Sequence, residues 1–279
     1  MAQTINTNVM SLTAQRNLTR SQQTMSTAME RLSSGLRVNS ARDDAAGLAI
    51  AERMNTQVRG MNVAMRNAND GISLAQTAEG GLNEIGNMMQ RMRELAVQSA
   101  NGTNSESDRD NLNAEFSALA EEIGRISDTT SFNGIKVIGT GASTFNFQVG
   151  ANADEQLDIS TENIRSAATM SAVFGASIAG ASSTGIGAAT SAIQVLDAAI
   201  TTITSNRATY GAVQSRFESA INNLQIGVEN QAAARGRIVD ADFAVETASL
   251  TRSQILQQAG NAMVSQANSA PSSVLQLLG

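Results

Sequence analysis

Two of the side chains that most often carry chemistry are missing from this chain, because its 279 residues include no His and no Cys. A nucleophilic triad then has no base, disulfides and thiolate chemistry are excluded, and a zinc site would need carboxylates alone, an uncommon arrangement. The acidic pairs Asp43-Asp44 and Glu121-Glu122 are sequence neighbours, so on a helix their side chains diverge by about 100° and do not converge on a substrate. They read as helix caps and solvated faces. Gly185-Ile186-Gly187 lacks the Lys-Ser/Thr ending of a phosphate loop. Asn17-Leu18-Thr19 and Asn101-Gly102-Thr103 fit the glycosylation sequon, a short pattern expected by chance in a chain this rich in Asn, Ser and Thr. No catalytic, metal-ligating or cofactor-binding residue is assigned, no cofactor is expected, and an enzyme is not indicated.

The remaining chemistry is that of surfaces, and helices must present them. Apolar residues recur three or four apart in the series Val58, Met61, Met65, Ala68, Ile72, Ala75 and then Leu82, Ile85, Met89, Met92, Ala96. A second series runs Ile193, Leu196, Ile200, Ile203, Tyr210, Phe217, Ile221, Leu224, Val228, Ala232 to Ile238. Such repeats predict long helices that each bury one seam against other helices, the pattern of a coiled-coil rod. Aromatic content is 3%, Trp is absent and Tyr210 stands alone, so Leu, Ile, Val, Met and Ala must make the interfaces.

Between the two series the period changes. Phe145, Phe147 and Val149 alternate with polar residues, as do Leu157 and Ile159, which predicts a β-hairpin. Asn133-Gly134 between Phe132 and Ile135 offers a tight turn. Ser40 before Asp43 and Ser105 before Asp108 fit helix N-caps, and Asn101-Gly102 should turn the chain back. The stretch from Gly175 to Ser191, almost wholly Gly, Ala, Ser and Thr, is expected to be a linker or exposed cap.

The net charge of −6 argues against a nucleic-acid partner. No run reaches the eighteen or so consecutive apolar residues of a membrane span, so a soluble chain with no membrane partner is expected. The N-terminal residues lack the basic and apolar regions of a secretory signal peptide, so export, where it occurs, is expected to proceed without a cleaved leader. Both ends are uncharged, over residues 1–15 and 253–279. They carry spaced apolar residues: Ile5, Val9, Leu12, Leu18, Met25 and Leu32 in one arm, and Leu250, Ile255, Leu256, Met263, Val274, Leu275, Leu277 and Leu278 in the other. So thin a stripe does not offset an ordering cost of about 1–2 kcal/mol per residue, so each arm should become helical only against a partner.

Specific segments carry a family resemblance. Leu32-Ser33-Ser34-Gly35-Leu36-Arg37-Val38-Asn39-Ser40-Ala41-Arg42-Asp43-Asp44-Ala45-Ala46-Gly47-Leu48 and Arg91-Met92-Arg93-Glu94-Leu95-Ala96-Val97-Gln98-Ser99-Ala100-Asn101 resemble the N-terminal half of bacterial flagellin. Arg237-Ile238-Val239-Asp240-Ala241-Asp242 and Gln254-Ile255-Leu256-Gln257-Gln258-Ala259-Gly260 are similar to its C-terminal half. The resemblance implies a mainly α fold, a helical rod with a small β-hairpin insert whose terminal arms pair as a helical hairpin. It implies an N-terminal arm over 1–42, a rod domain from 43–165 and 191–239, a minimal variable outer segment over 166–190, and a C-terminal arm over 240–279. It further implies a homopolymer forming the extracellular flagellar filament for swimming, with cap and hook-filament junction proteins at its ends and a cytoplasmic export chaperone at the C-terminal arm. Recognition by a vertebrate Toll-like receptor would fall on Arg91, Leu95 and Glu115. Relatives with large outer domains are common, and here about thirty small residues occupy that place, which puts functions of those domains in doubt. A hook-filament junction protein and a secreted coiled-coil adhesin or immune ligand are the alternative readings.

Overall fold

The computed structural model describes residues 7–275 and is mainly helical. Helices α1 (Val9–Ser34), α2 (Ala45–Ser99) and α3 (Glu106–Thr129) precede two short hairpins, β1 (Ser131–Phe132) with β2 (Ile135–Lys136) and β3 (Thr144–Gln148) with β4 (Gln156–Ser160). Helices α4 (Ala168–Phe174), α5 (Ser182–Val239) and α6 (Phe243–Leu275) follow. The chain forms two compact units, one from the two ends through residue 57 and from residue 229, the other from the intervening residues 58–228.

In the central unit the predicted helical seam is the core. Ala68, Ala75, Leu82, Ile85, Met89, Met92 and Ala96 of α2 are buried with Phe116 and Ile123 of α3 and with Leu196, Ile203, Tyr210 and Phe217 of α5. The β3–β4 hairpin forms in the expected alternation, with Phe145 opposite Ile159 and Phe147 opposite Leu157. It docks on α2 where side chains are small: Asn67 donates to the Gln148 carbonyl at 3.0 Å, and Phe147 meets Phe217 edge-on at 5.7 Å. Gly71 lies beneath that aromatic pair, where an added Cβ would come within 2.9 Å of the Phe217 ring. The β1–β2 turn places Asn133 at φ 50° and Gly134 at φ 79°, the left-handed pair that a two-residue hairpin loop requires.

Two expectations need correction. Gly175 to Ser191 is not an exposed linker, since α5 begins at Ser182 and both Ile178 and Ala189 are fully buried. Small residues read as flexible in isolation, yet they allow close packing: Gly185 lies against the Gly180 carbonyl and the Arg109 side chain. Ser40 does not cap α2. Asp43 turns back to accept from the Ser40 hydroxyl at 2.8 Å and the Ser40 amide at 2.9 Å, and Asp44 caps the helix by accepting from the Gly47 amide at 2.8 Å. As expected, no apolar run is uninterrupted over eighteen residues, while α5 contains an eighteen-residue window of mean hydropathy 1.4, long and apolar enough by composition alone to cross a membrane. Here its Ala189, Ala192, Leu196, Ala199 and Ile203 pack into the core.

At the second start signal, Ser105 caps α3 with a complete capping box, its hydroxyl accepting from the Asp108 amide while the Asp108 carboxylate accepts from the Ser105 amide. Arg109, fully buried, donates to the Ser99 and Asn101 carbonyls at 3.1 and 3.2 Å, placing a cation at the C-terminal end of α2, where the exposed carbonyls favour it.

Candidate assembly surfaces

In the terminal unit α1 runs antiparallel to α6. Gly35 at φ 71° ends α1, an antiparallel bridge joins Leu36 to Asp240, and the Ala241 amide donates to the Gly35 carbonyl at 2.9 Å. Asp242 starts α6 by accepting from the Ala244 and Val245 amides.

The surface between these two helices is made largely of small and polar groups. Ser11, Ala28, Ser253 and Ala267 are buried. The Ser11 hydroxyl hydrogen-bonds Asn268 Oδ1 at 2.6 Å, Asn8 donates to the Ala267 carbonyl at 2.7 Å, and Arg31 pairs with Glu246 at 2.9 Å. Gly260 lets Leu18 approach, its missing Cβ falling 3.1 Å from Leu18 Cδ1. Leu18, Met25, Leu32 and Leu250 are half-buried in this pair.

The arm residues predicted together therefore separate into two groups. Val9, Leu12, Ile255, Leu256 and Met263 remain exposed on the helix pair, as do Met29, which shares the spacing of Met25 and Leu32, and Met10, Phe243 and Val245, outside that pattern. Val9, Met10, Leu18, Leu256, Gly260 and Met263 line a groove of about 470 Å³. A second groove of about 630 Å³ runs along α6 past Ala244, Thr247, Thr251, Ile255 and Leu256. Val274 and Leu275 belong to the last turn of α6, while Ile5, Leu277 and Leu278 lie outside the described residues.

The three positions implied for receptor recognition are also divided. Arg91 and Glu115 are exposed and paired, with Arg91 Nε and Nη2 reaching Glu115 Oε1 at 3.0 and 2.9 Å and Nη1 reaching Glu94 at 3.0 Å. These carboxylates, Glu115 first, raise the Arg91 pKa further above its ordinary value. Leu95 is not part of that surface: it is 1% exposed, since its position in the α2 period points it into the core beside Met92 and Ala96. Among the described residues no cluster of three or more acidic side chains is placed to hold a metal ion.

Paired terminal helices that bury Ser11, Ala28, Ser253 and Ala267 between them and leave Val9, Leu12, Ile255, Leu256 and Met263 exposed have the surface of a structural protein that associates with further copies. Comparison with known proteins says which one. Residues 5–140 match the bacterial flagellin N-terminal helical region and residues 193–278 the bacterial flagellin C-terminal helical region. A flagellin of Halalkalibacterium halodurans is 46% identical over 274 residues, covering 98% of this chain and 99% of that one. Flagellin C of Vibrio anguillarum is 37% identical over 377 aligned positions that span all of both chains, so it carries residues this chain lacks. The crystal structure of Bacillus cereus flagellin superimposes with a TM-score of 0.50 at 30% identity, covering 61% of this chain and 94% of that one. The chain belongs to the bacterial flagellin family. It is a structural subunit that self-assembles into the extracellular flagellar filament for swimming motility.

Proposed function

We propose that polymerisation is driven by the outward apolar residues of the α1–α6 pair, Val9, Leu12, Ile255, Leu256 and Met263, each seated against neighbouring copies of the chain. The observation that carries this is their exposure in the isolated subunit beside an internal seam of Ser, Ala and Asn. Burying apolar surface yields about 25 cal/mol per Å², so five or more large side chains repeated at every subunit supply a driving force that the polar seam cannot. The lack of charge from residue 253 onward removes repulsion between arms packed closely in a polymer. Head-to-tail contact between unlike surfaces leaves the symmetry open and gives a filament.

In the same reading residues 1–42 and 240–279 form the innermost layer, 43–165 and 191–239 surround it, and 166–190 serve as the variable segment, whose part from Ser182 is already helix. Cap and junction proteins meet the same apolar surfaces at the filament ends. An export chaperone covers α6 before assembly, a role supported by the exposure of Phe243, Val245, Ile255 and Leu256. A vertebrate Toll-like receptor would read the exposed Arg91 and Glu115, with Leu95 holding them from beneath.

Seeded growth followed by electron microscopy tests the central claim. Leu256→Asp and a chain truncated after Arg252 should remain helical monomers, while the parent chain elongates seeds. Elongation by Leu256→Asp at the parent rate would remove this surface from the mechanism.

A further inference from the structure

Oxidation chemistry is unusually confined in this protein. With no Cys, no Trp, no His and a single buried Tyr, the side chains that two-electron oxidants attack are reduced to methionine, of which there are twelve. The fold divides sharply the eleven that lie among the described residues. Met89, Met92 and Met170 are fully buried in the central unit, and Met25, Met54, Met61, Met65 and Met88 are partly covered. Met10, Met29 and Met263 are exposed, at 67%, 50% and 62%, and all three lie on the α1–α6 pair, with Met10 and Met263 on opposite walls of one groove.

We propose that Met10, Met29 and Met263 form an oxidation-sensitive modification site that controls assembly. The proposal rests on the reading that this surface is buried between copies in the filament. The oxidant is of the peroxide class: the thioether sulfur attacks one peroxide oxygen, an S–O bond forms as the O–O bond breaks, the sulfur loses two electrons and the peroxide leaves as water. The product is a polar, chiral sulfoxide where the neighbouring copy requires an apolar side chain. Burying an added polar oxygen without a hydrogen-bond donor opposes docking. Because assembly covers the three thioethers, subunits are vulnerable only before they are incorporated, and damaged ones are excluded from the growing end. The modification reverses with a thiol-dependent methionine sulfoxide reductase.

The test treats the full-length monomer with limiting hydrogen peroxide, maps sulfoxides by peptide mass spectrometry, and measures seeded elongation. Sulfoxide should appear first at positions 10, 29 and 263, elongation should slow by about tenfold or more, and sulfoxide reductases should restore it. The Met10→Leu, Met29→Leu, Met263→Leu triple variant should elongate normally and keep doing so after peroxide, and the same dose applied to assembled filaments should leave all three sites unmodified. Undiminished elongation of monomers oxidised at all three sites would overturn the proposal, as would peroxide inhibition that persists in the triple variant. Leu256→Asp, which changes no methionine, separates the two levels: if it elongates normally the assembly surface itself is wrong, and if it fails while oxidised monomer grows, only the oxidation proposal is lost.

Discussion

The Arg31 guanidinium meets the Glu246 carboxylate at 2.9 Å, across the seam between the first and last helices of the chain. Glu246 is the more enclosed partner, its side chain 11% exposed against 32% for Arg31. Among the described residues it is the one ion pair joining α1 to α6, in a seam otherwise held by small side chains and hydrogen bonds. Such a pair favours one register of two weakly apolar helices over a slide by one turn, which would leave Glu246 without its cation.

Replacing Arg31 by Ala should therefore destabilise the helix pair by about 1–3 kcal/mol, because the largely buried Glu246 carboxylate loses its cation. Arg31→Ala with Glu246→Ala should cost less than the sum of the two single changes. Amide hydrogen exchange along α1, read for all three variants, measures the coupling; strict additivity would mean that the pair does not set the register.

Two glycines of α2 should respond in opposite directions. A methyl at Gly71 would sit 2.9 Å from the Phe217 ring, closer than real Cβ atoms come, while nothing lies within 4 Å of the corresponding position at Gly80. Gly71→Ala must displace Phe217 and its edge-on contact with Phe147, costing about 1–3 kcal/mol. Gly80→Ala gains helix propensity without a clash and should stabilise by roughly 0.5–1 kcal/mol. Urea unfolding of the monomer distinguishes them, and a neutral Gly71→Ala would mean that the hairpin docks loosely on α2.

These glycines mark where sequence periodicity stops being informative. The spacing of Met89, Met92 and Ala96 places them in the core, and the alternation around Phe147 and Leu157 gives the hairpin with its partners. Leu95 follows Met92 by three residues in the same helical period and is buried with it. What periodicity does not encode is which of two faces an apolar arm residue uses: Leu12 and Leu18 have the same chemistry, but only Leu18 finds Gly260 opposite. Nor does composition reveal Arg109 as a buried cation, because its partners are main-chain carbonyls that carry no side-chain signature. Asp44 rather than Ser40 caps α2 for a similarly local reason, since Asp43 is already engaged by Ser40.

Acid should loosen the start of α3 early. Hydrogen bonds from the Ser105 hydroxyl and then the Ser105 amide hold the Asp108 carboxyl below its ordinary value, and Ser40 does the same for Asp43. A carboxylate whose folded pKa is depressed contributes stability above its unfolded pKa and loses that contribution as pH falls through the folded one. Monomer stability should therefore decline below about pH 4. Ser105→Ala should cost about 1 kcal/mol at neutral pH through the lost cap and should flatten the acid decline. Thermal melts of both chains across that range check the prediction; parallel acid limbs would show that Asp108 does not contribute to it.

Alkali acts through Tyr210, which is 4% exposed. Burial raises its pKa from 10.0 to about 12, the Glu162 charge adds to the shift, and a hydrogen bond from the Glu162 main chain partly opposes it. Between those two values the unfolded chain has released the phenolic proton and the folded chain still holds it, so the unfolded state binds fewer protons and stability must fall as pH rises. The contribution is present below about pH 10 and is lost by about pH 12, amounting to about 2–3 kcal/mol across the window. Tyr210→Phe keeps the buried ring and removes the ionisable group, so its urea midpoint should decline less steeply over the same interval. With no Trp and no second Tyr, ultraviolet absorbance of tyrosinate reports this one residue directly. Ionisation near pH 10 in the folded monomer would mean that the ring reaches solvent, and that the α5 seam at this turn opens more readily than its packing implies.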